Sequence, residues 1–124
     1  MLTIRKEQME VLSAYMRQGF EDRMLKHFAE VFPERYEKAK EEEYRLLIRS
    51  GIEKAASYEV RDEHSVALFL DLMMGDGPDF DQLPAHAWMR TILTDKSLSG
   101  SAKMQLIYER LSGKPAGVSS DRRG

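Results

Sequence analysis

The residues of this chain best suited to chemistry lie in one short stretch, Gly75-Asp-Gly-Pro-Asp-Phe-Asp-Gln-Leu-Pro84, which runs directly into Ala85-His-Ala-Trp88. Asp76, Asp79 and Asp81 carry hard oxygen donors of the kind that calcium and magnesium take. Their spacing departs from the calcium-loop pattern, which needs acids at alternate positions, then a glycine, then a distal glutamate. Aspartate also begins turns and caps helices, and Gly77-Pro78 is a turn signal by itself. Turn formation accounts for these residues, and no metal site is assigned to them.

The histidines His27, His64 and His86 are far apart in sequence. Glu63-His64 is half of a zinc-protease motif, but no second histidine follows four positions after His64. Asp62, Glu63, Asp71, Asp76, Asp79 and Asp81 surround an apolar segment. Paired carboxylates would suit glycoside hydrolysis, yet that chemistry needs a cleft, and no aromatic sugar platform is evident. No glycine-rich phosphate loop and no Gly-x-Ser-x-Gly elbow occurs. No catalytic residue and no cofactor is expected, and the chain reads as a non-enzyme.

What remains is recognition by contact. Eight methionines are many for 124 residues. Most of Met9, Met16, Met24, Met73, Met74, Met89 and Met104 fall at apolar helix positions, where core packing is the default. An adaptable methionine-lined groove is the functional alternative. Asp79, Phe80, Asp81, Leu83, Trp88 and Met89 are the candidate partner-binding residues, the aspartates forming a rim around apolar anchors. The competing reading tucks Phe80 onto the core and uses Trp88 to seal it.

Composition narrows the classes. With 42% hydrophobic and 32% charged residues the chain falls among folded soluble proteins rather than disordered ones. It has no cysteine, which removes disulfides, thiolate nucleophiles and cysteine-based zinc sites. The net charge of −2 and the lack of a basic patch beyond Arg122-Arg123 disfavour nucleic acid. The longest apolar run, Val66 to Leu70, is too short to span a bilayer, and no signal-peptide core follows Met1. A cytoplasmic location is expected.

The elements that must position these residues are helices, so the expected fold class is all-α: a compact bundle of about five helices. One helical domain covers residues 1–112 and a disordered tail 113–124. From about Lys6 to Phe32, Met9, Leu12, Met16, Phe20, Met24 and Phe28 recur at helical spacing. Thr3 or Ile4 begins that helix, Arg5, Lys6, Glu10, Arg17, Glu21 and Lys26 lie largely off its stripe, and Pro33 ends it or starts the next. A second helix is expected from about Glu34 to Tyr58, its charged first half projecting into solvent. Gly51 on its apolar face marks either a close helix approach or a mild bend.

A third helix, about Asp62 to Met74, is apolar nearly all round and should be the buried centre. Asp62 is its expected N-cap, and Gly75 or Gly77 its end. Two further helices are expected at about Pro84–Leu93 and Ser99–Leu111, the latter capped by Ser97 or Ser99.

A resemblance points the same way. Leu72-Met-Met, Gly77-Pro-Asp-Phe-Asp81, Pro84, Trp88 and Ile92-Leu93 stand in an order that resembles a group of small uncharacterised helical bacterial proteins. Leu2-Thr-Ile-Arg-Lys-Glu-Gln-Met9 and Leu46-Leu-Ile-Arg-Ser-Gly-Ile-Glu-Lys-Ala-Ala-Ser-Tyr58 are similar to the same group. Such proteins are encoded beside type VI secretion spike proteins, effectors and adaptors. The likeness spans about residues 2–111 and implies a cytoplasmic adaptor or chaperone-like helper that binds a secretion component. It carries over no catalytic residue. Homodimerisation through the long first helix is a compatible expectation. The rival is an immunity protein that blocks a toxin, with Glu41-Glu42-Glu43 and the aspartate loop supplying negative charge. A small carboxylate hydrolase is the third option.

Overall fold

The computed structural model describes residues 2–113, with side-chain surroundings from residue 17 onward. Among these residues the chain is all-α and has no strand. Its helices are α1 (Leu2–Val31), α2 (Glu41–Ser57), α3 (Glu63–Asp76), α4 (Ala87–Leu93) and α5 (Gly100–Leu111), with 3₁₀ turns at Lys38–Lys40, Phe80–Gln82 and Pro84–His86. The chain divides into two compact units, Met1–Arg49 and Ser50–Gly124. Of the expected tail, residues 114–124 lie outside the described residues.

In the first unit the stripe of α1 buries Phe20, Met24, Leu25 and Phe28. The side chains of Met9, Leu12 and Met16 lie outside the described residues. The helix starts at Leu2 and ends at Val31, ahead of Pro33, whose ring disfavours helical geometry in the residue before it. Glu21, expected off the stripe, is buried at 2% exposure. Arg49 holds it with two N–H groups at 2.8 and 3.2 Å, and Arg45 donates to it at 3.1 Å. Burial alone would push the Glu21 carboxyl up; the two guanidinium groups outweigh that and hold it below its ordinary value.

The second helix begins at Glu41, not at Glu34. Residues 34–40 have good helix formers, but their backbone is engaged elsewhere. The Tyr44 hydroxyl accepts from Glu37 N–H at 3.0 Å and donates to the Arg35 carbonyl at 3.1 Å. Its ring stacks on Tyr36 at 5.0 Å. A helix through this segment would need those same backbone groups for its own ladder.

In the second unit α3 is the centre, burying Val66, Phe69, Leu70, Leu72, Met73 and Met74. Asp62 caps it by accepting from Ser65 N–H at 3.0 Å, and Gly77 closes it with an N–H donated to the Met73 carbonyl. Gly51 is a close approach rather than a bend: a Cβ there would lie 2.3 Å from Leu70 Cδ2 and 2.8 Å from Met73 Sδ.

α2 ends in a Schellman turn. Val60 N–H reaches back to the Ala55 carbonyl and Glu59 N–H to that of Ala56, with Glu59 at φ 67° where glycine is usual. The start of α5 packs onto this turn. Ser99 caps α5 through Ala102 N–H at 3.1 Å, and buried Lys103 donates to the Tyr58 carbonyl at 2.7 Å. A Cβ on Gly100 would sit 2.5 Å from the Glu59 carbonyl oxygen and 2.9 Å from Val60 Cα. Backbone cannot rotate away as a side chain can, so Gly100→Ala is expected to cost about 2 kcal/mol, read as a lower urea midpoint. An unchanged midpoint would mean that the turn yields freely.

Candidate functional site

The Gly75–Trp88 segment is an ordered connector between α3 and α4, built inward from Phe80. This ring is fully buried and meets Phe69 edge-on, with centroids 5.1 Å apart and planes at 68°. Its position brings the next residue, Asp81, inside as well, at 0% exposure. A buried carboxylate must be paired and hydrogen-bonded to persist. Tyr58 O–H donates to Oδ2 at 2.5 Å and Gln82 Nε2 at 3.0 Å, while Lys54 Nζ ion-pairs with Oδ1 at 2.6 Å.

The connector's main chain is tied down by the same neighbours. Lys54 Nζ donates to the Pro78 carbonyl at 2.8 Å, and Arg90 of α4 reaches back to the Asp81 carbonyl at 2.8 Å. His86 Nδ1 lies 2.7 Å from the Phe80 carbonyl. A carbonyl can only accept, so this nitrogen carries the proton and Nε2 faces Asp76 at 3.8 Å.

The electrostatics follow from these partners. Burial pushes the Asp81 carboxyl up, but hydrogen bonds from Lys54, Tyr58 and Gln82, with the Lys54 charge, hold it below its ordinary value. The Tyr58 phenol is pushed up to about 12, first by burial and then by its bond to Asp81. An ionised Asp81 facing a neutral phenol and an ammonium is a structural knot, with each group held by a partner.

The six candidate contact residues separate into two sets. Phe80, Asp81 and Met89 are fully buried, so their side chains offer nothing to a partner in this arrangement. Asp79 is outward, its side chain 84% exposed beside Lys54, and Leu83 is 40% exposed. Trp88 is half-buried, with the Arg110 guanidinium 4.6 Å above its ring. Met24, Met73, Met74, Met89 and Met104 are all in the core.

Asp76, Asp79 and Asp81 have different surroundings, and among the described residues no group of three or more acidic or histidine side chains could hold a metal ion. His27 lies against Phe28, His64 is exposed near the start of α3 and His86 sits on Phe80. The Lys54–Tyr58 pair, one helical turn apart on α2, went unread as the anchor of Asp81. Its only signal is that i,i+4 spacing, which names no partner. No helix among the described residues is long and apolar enough to cross a membrane. No protein-family model, curated protein or solved structure matches the chain.

Proposed function

We propose that the chain is a non-enzymatic, protein-binding accessory protein, adaptor or chaperone-like, of a bacterial secretion or effector system acting in the cytoplasm. The supporting observation is a connector fastened at Phe80 and Asp81 that leaves Leu83 and Asp79 outward. A preformed apolar anchor with an acidic neighbour on its own segment suits docking, because little conformational entropy is lost on binding. The carboxylates that suggested chemistry are engaged in structure: Asp81 in its buried pair, Asp62 in a helix cap and Asp95 in a turn through Ser97.

Affinity purification with mass spectrometry, using the wild-type chain and Leu83→Asp in the organism that encodes it, tests the proposal. A spike, effector or adaptor recovered with wild type and at least tenfold depleted with the variant is the expected result. If no secretion component is recovered, the adaptor reading fails.

Exposed Glu42 and Glu43 in the first turn of α2 favour a second reading, an immunity protein that covers a basic toxin. Gene deletion separates the two. Cells lacking an immunity protein die beside their siblings, whereas cells lacking an adaptor only stop delivering.

A further inference from the structure

Away from the connector, α3 and α5 flank a groove of about 420 Å³. That is enough for a small ligand, near the lower end of such sites. Its apolar lining comes from Leu68 and the Tyr108 ring, the latter fixed by its hydroxyl donating to the Leu68 carbonyl at 2.6 Å. Its polar lining includes Ser65, Gln105 and Glu109.

Two oxygens here stand out. Ser65, 1% exposed, and Glu109 each present a buried side-chain oxygen, Oγ and Oε1, with no hydrogen-bond partner among the described residues. Buried polar atoms are nearly always paired, so two such atoms on one groove call for a ligand group that supplies N–H or O–H donors. The other Glu109 oxygen accepts from Gln105 Nε2 at 3.2 Å, which steadies the carboxylate. The lining holds no lysine or arginine, and His64 is its one basic residue. A carboxylate and a hydroxyl beside an apolar strip, with so little competing positive charge, favour a cation with several donors and a short hydrocarbon stem.

We propose that this groove binds an alkylammonium group, its N–H donors meeting Glu109 Oε1 and Ser65 Oγ and its methylenes lying on Leu68 and Tyr108. The group belongs to a free amine or to a lysine side chain, which share this chemistry. The proposal stands independently of the adaptor reading.

The test is an amide-resonance titration of the full ¹⁵N-labelled chain with n-butylammonium, N-acetyl-lysine methylamide and neutral n-butanol. Saturable shifts at residues 64–68 and 105–109 with at least one of the two cations are expected. Glu109→Gln should weaken that binding about tenfold or more, because a charge-assisted hydrogen bond becomes a neutral one. Tighter binding of n-butylammonium assigns a free amine, and tighter binding of the lysine amide assigns a lysine side chain. If n-butanol produces the same curve as the cations, if neither cation binds, or if folded Glu109→Gln binds them undiminished, the proposal is overturned. Should Glu109→Gln fail to fold, Ser65→Ala together with the salt dependence of wild-type binding decides it: affinity insensitive to both overturns the assignment.

Discussion

Phe80→Ala is expected to destabilise the Ser50–Gly124 unit by about 3–5 kcal/mol, the range for deleting a fully buried phenylalanine. The ring is 0% exposed and meets Phe69 edge-on at 5.1 Å. Removing it leaves a cavity whose walls include the rigid α3, so collapse can relieve only part of the loss. It also loosens the 3₁₀ turn at residues 80–82, which carries Asp81 into the interior. Leu83→Asp supplies the contrast. Leu83 is 40% exposed, and a surface change of this kind should shift stability by no more than about 0.5 kcal/mol. Urea titrations followed by the fluorescence of Trp88, the single tryptophan, measure both variants. A Phe80→Ala loss below about 1 kcal/mol would mean that the connector is not anchored by this ring.

The contrast reflects what could be read along the chain. Helices α3 and α5 and their caps at Asp62 and Ser99 were legible, because hydrophobic period and capping chemistry are local properties. The competing idea that Phe80 tucks onto the core was legible too, since one aromatic among turn residues has few places to go. The division of the six candidate contact residues into buried and exposed was not. Asp81 looked as exposed as Asp79, and only Lys54 and Tyr58, more than twenty residues earlier, decide otherwise.

The start of α2 was misread for the same reason. Glu34 to Lys40 scores well by propensity, whereas the outcome depends on one hydroxyl, that of Tyr44, reaching seven and nine residues back. Glu21 shows the limit most plainly. Its neighbours Phe20 and Met24 mark the stripe, but the guanidinium groups that allow an acid to be buried there come from Arg45 and Arg49.

Lys54→Met should cost about 3 kcal/mol at neutral pH, and the cost should shrink as the pH falls. Removing one member of a buried ion pair leaves the other charge uncompensated, a loss of about 3–5 kcal/mol; the low end applies because Lys54 is 25% exposed and Tyr58 and Gln82 still bond to Asp81. The sign of the pH effect follows from the direction of each shift. In the wild-type chain the Asp81 carboxyl lies below its unfolded value, so its contribution is present above the unfolded value of about 3.8 and is lost as pH falls through the lower folded one. Without Lys54 the opposing influence, burial, dominates and lifts the folded value above the unfolded one.

The variant then gains stability as acid protonates Asp81, over a range where wild type is flat or falling. Urea midpoints for the two proteins should therefore converge between about pH 7 and pH 4. Adding Asp81→Asn should recover about half of the loss at neutral pH, since the unpaired charge is gone while the Tyr58 hydroxyl keeps an oxygen to donate to. A difference between the proteins that stays constant with pH would place the cost of Lys54→Met in the bond to the Pro78 carbonyl rather than in the charge of Asp81.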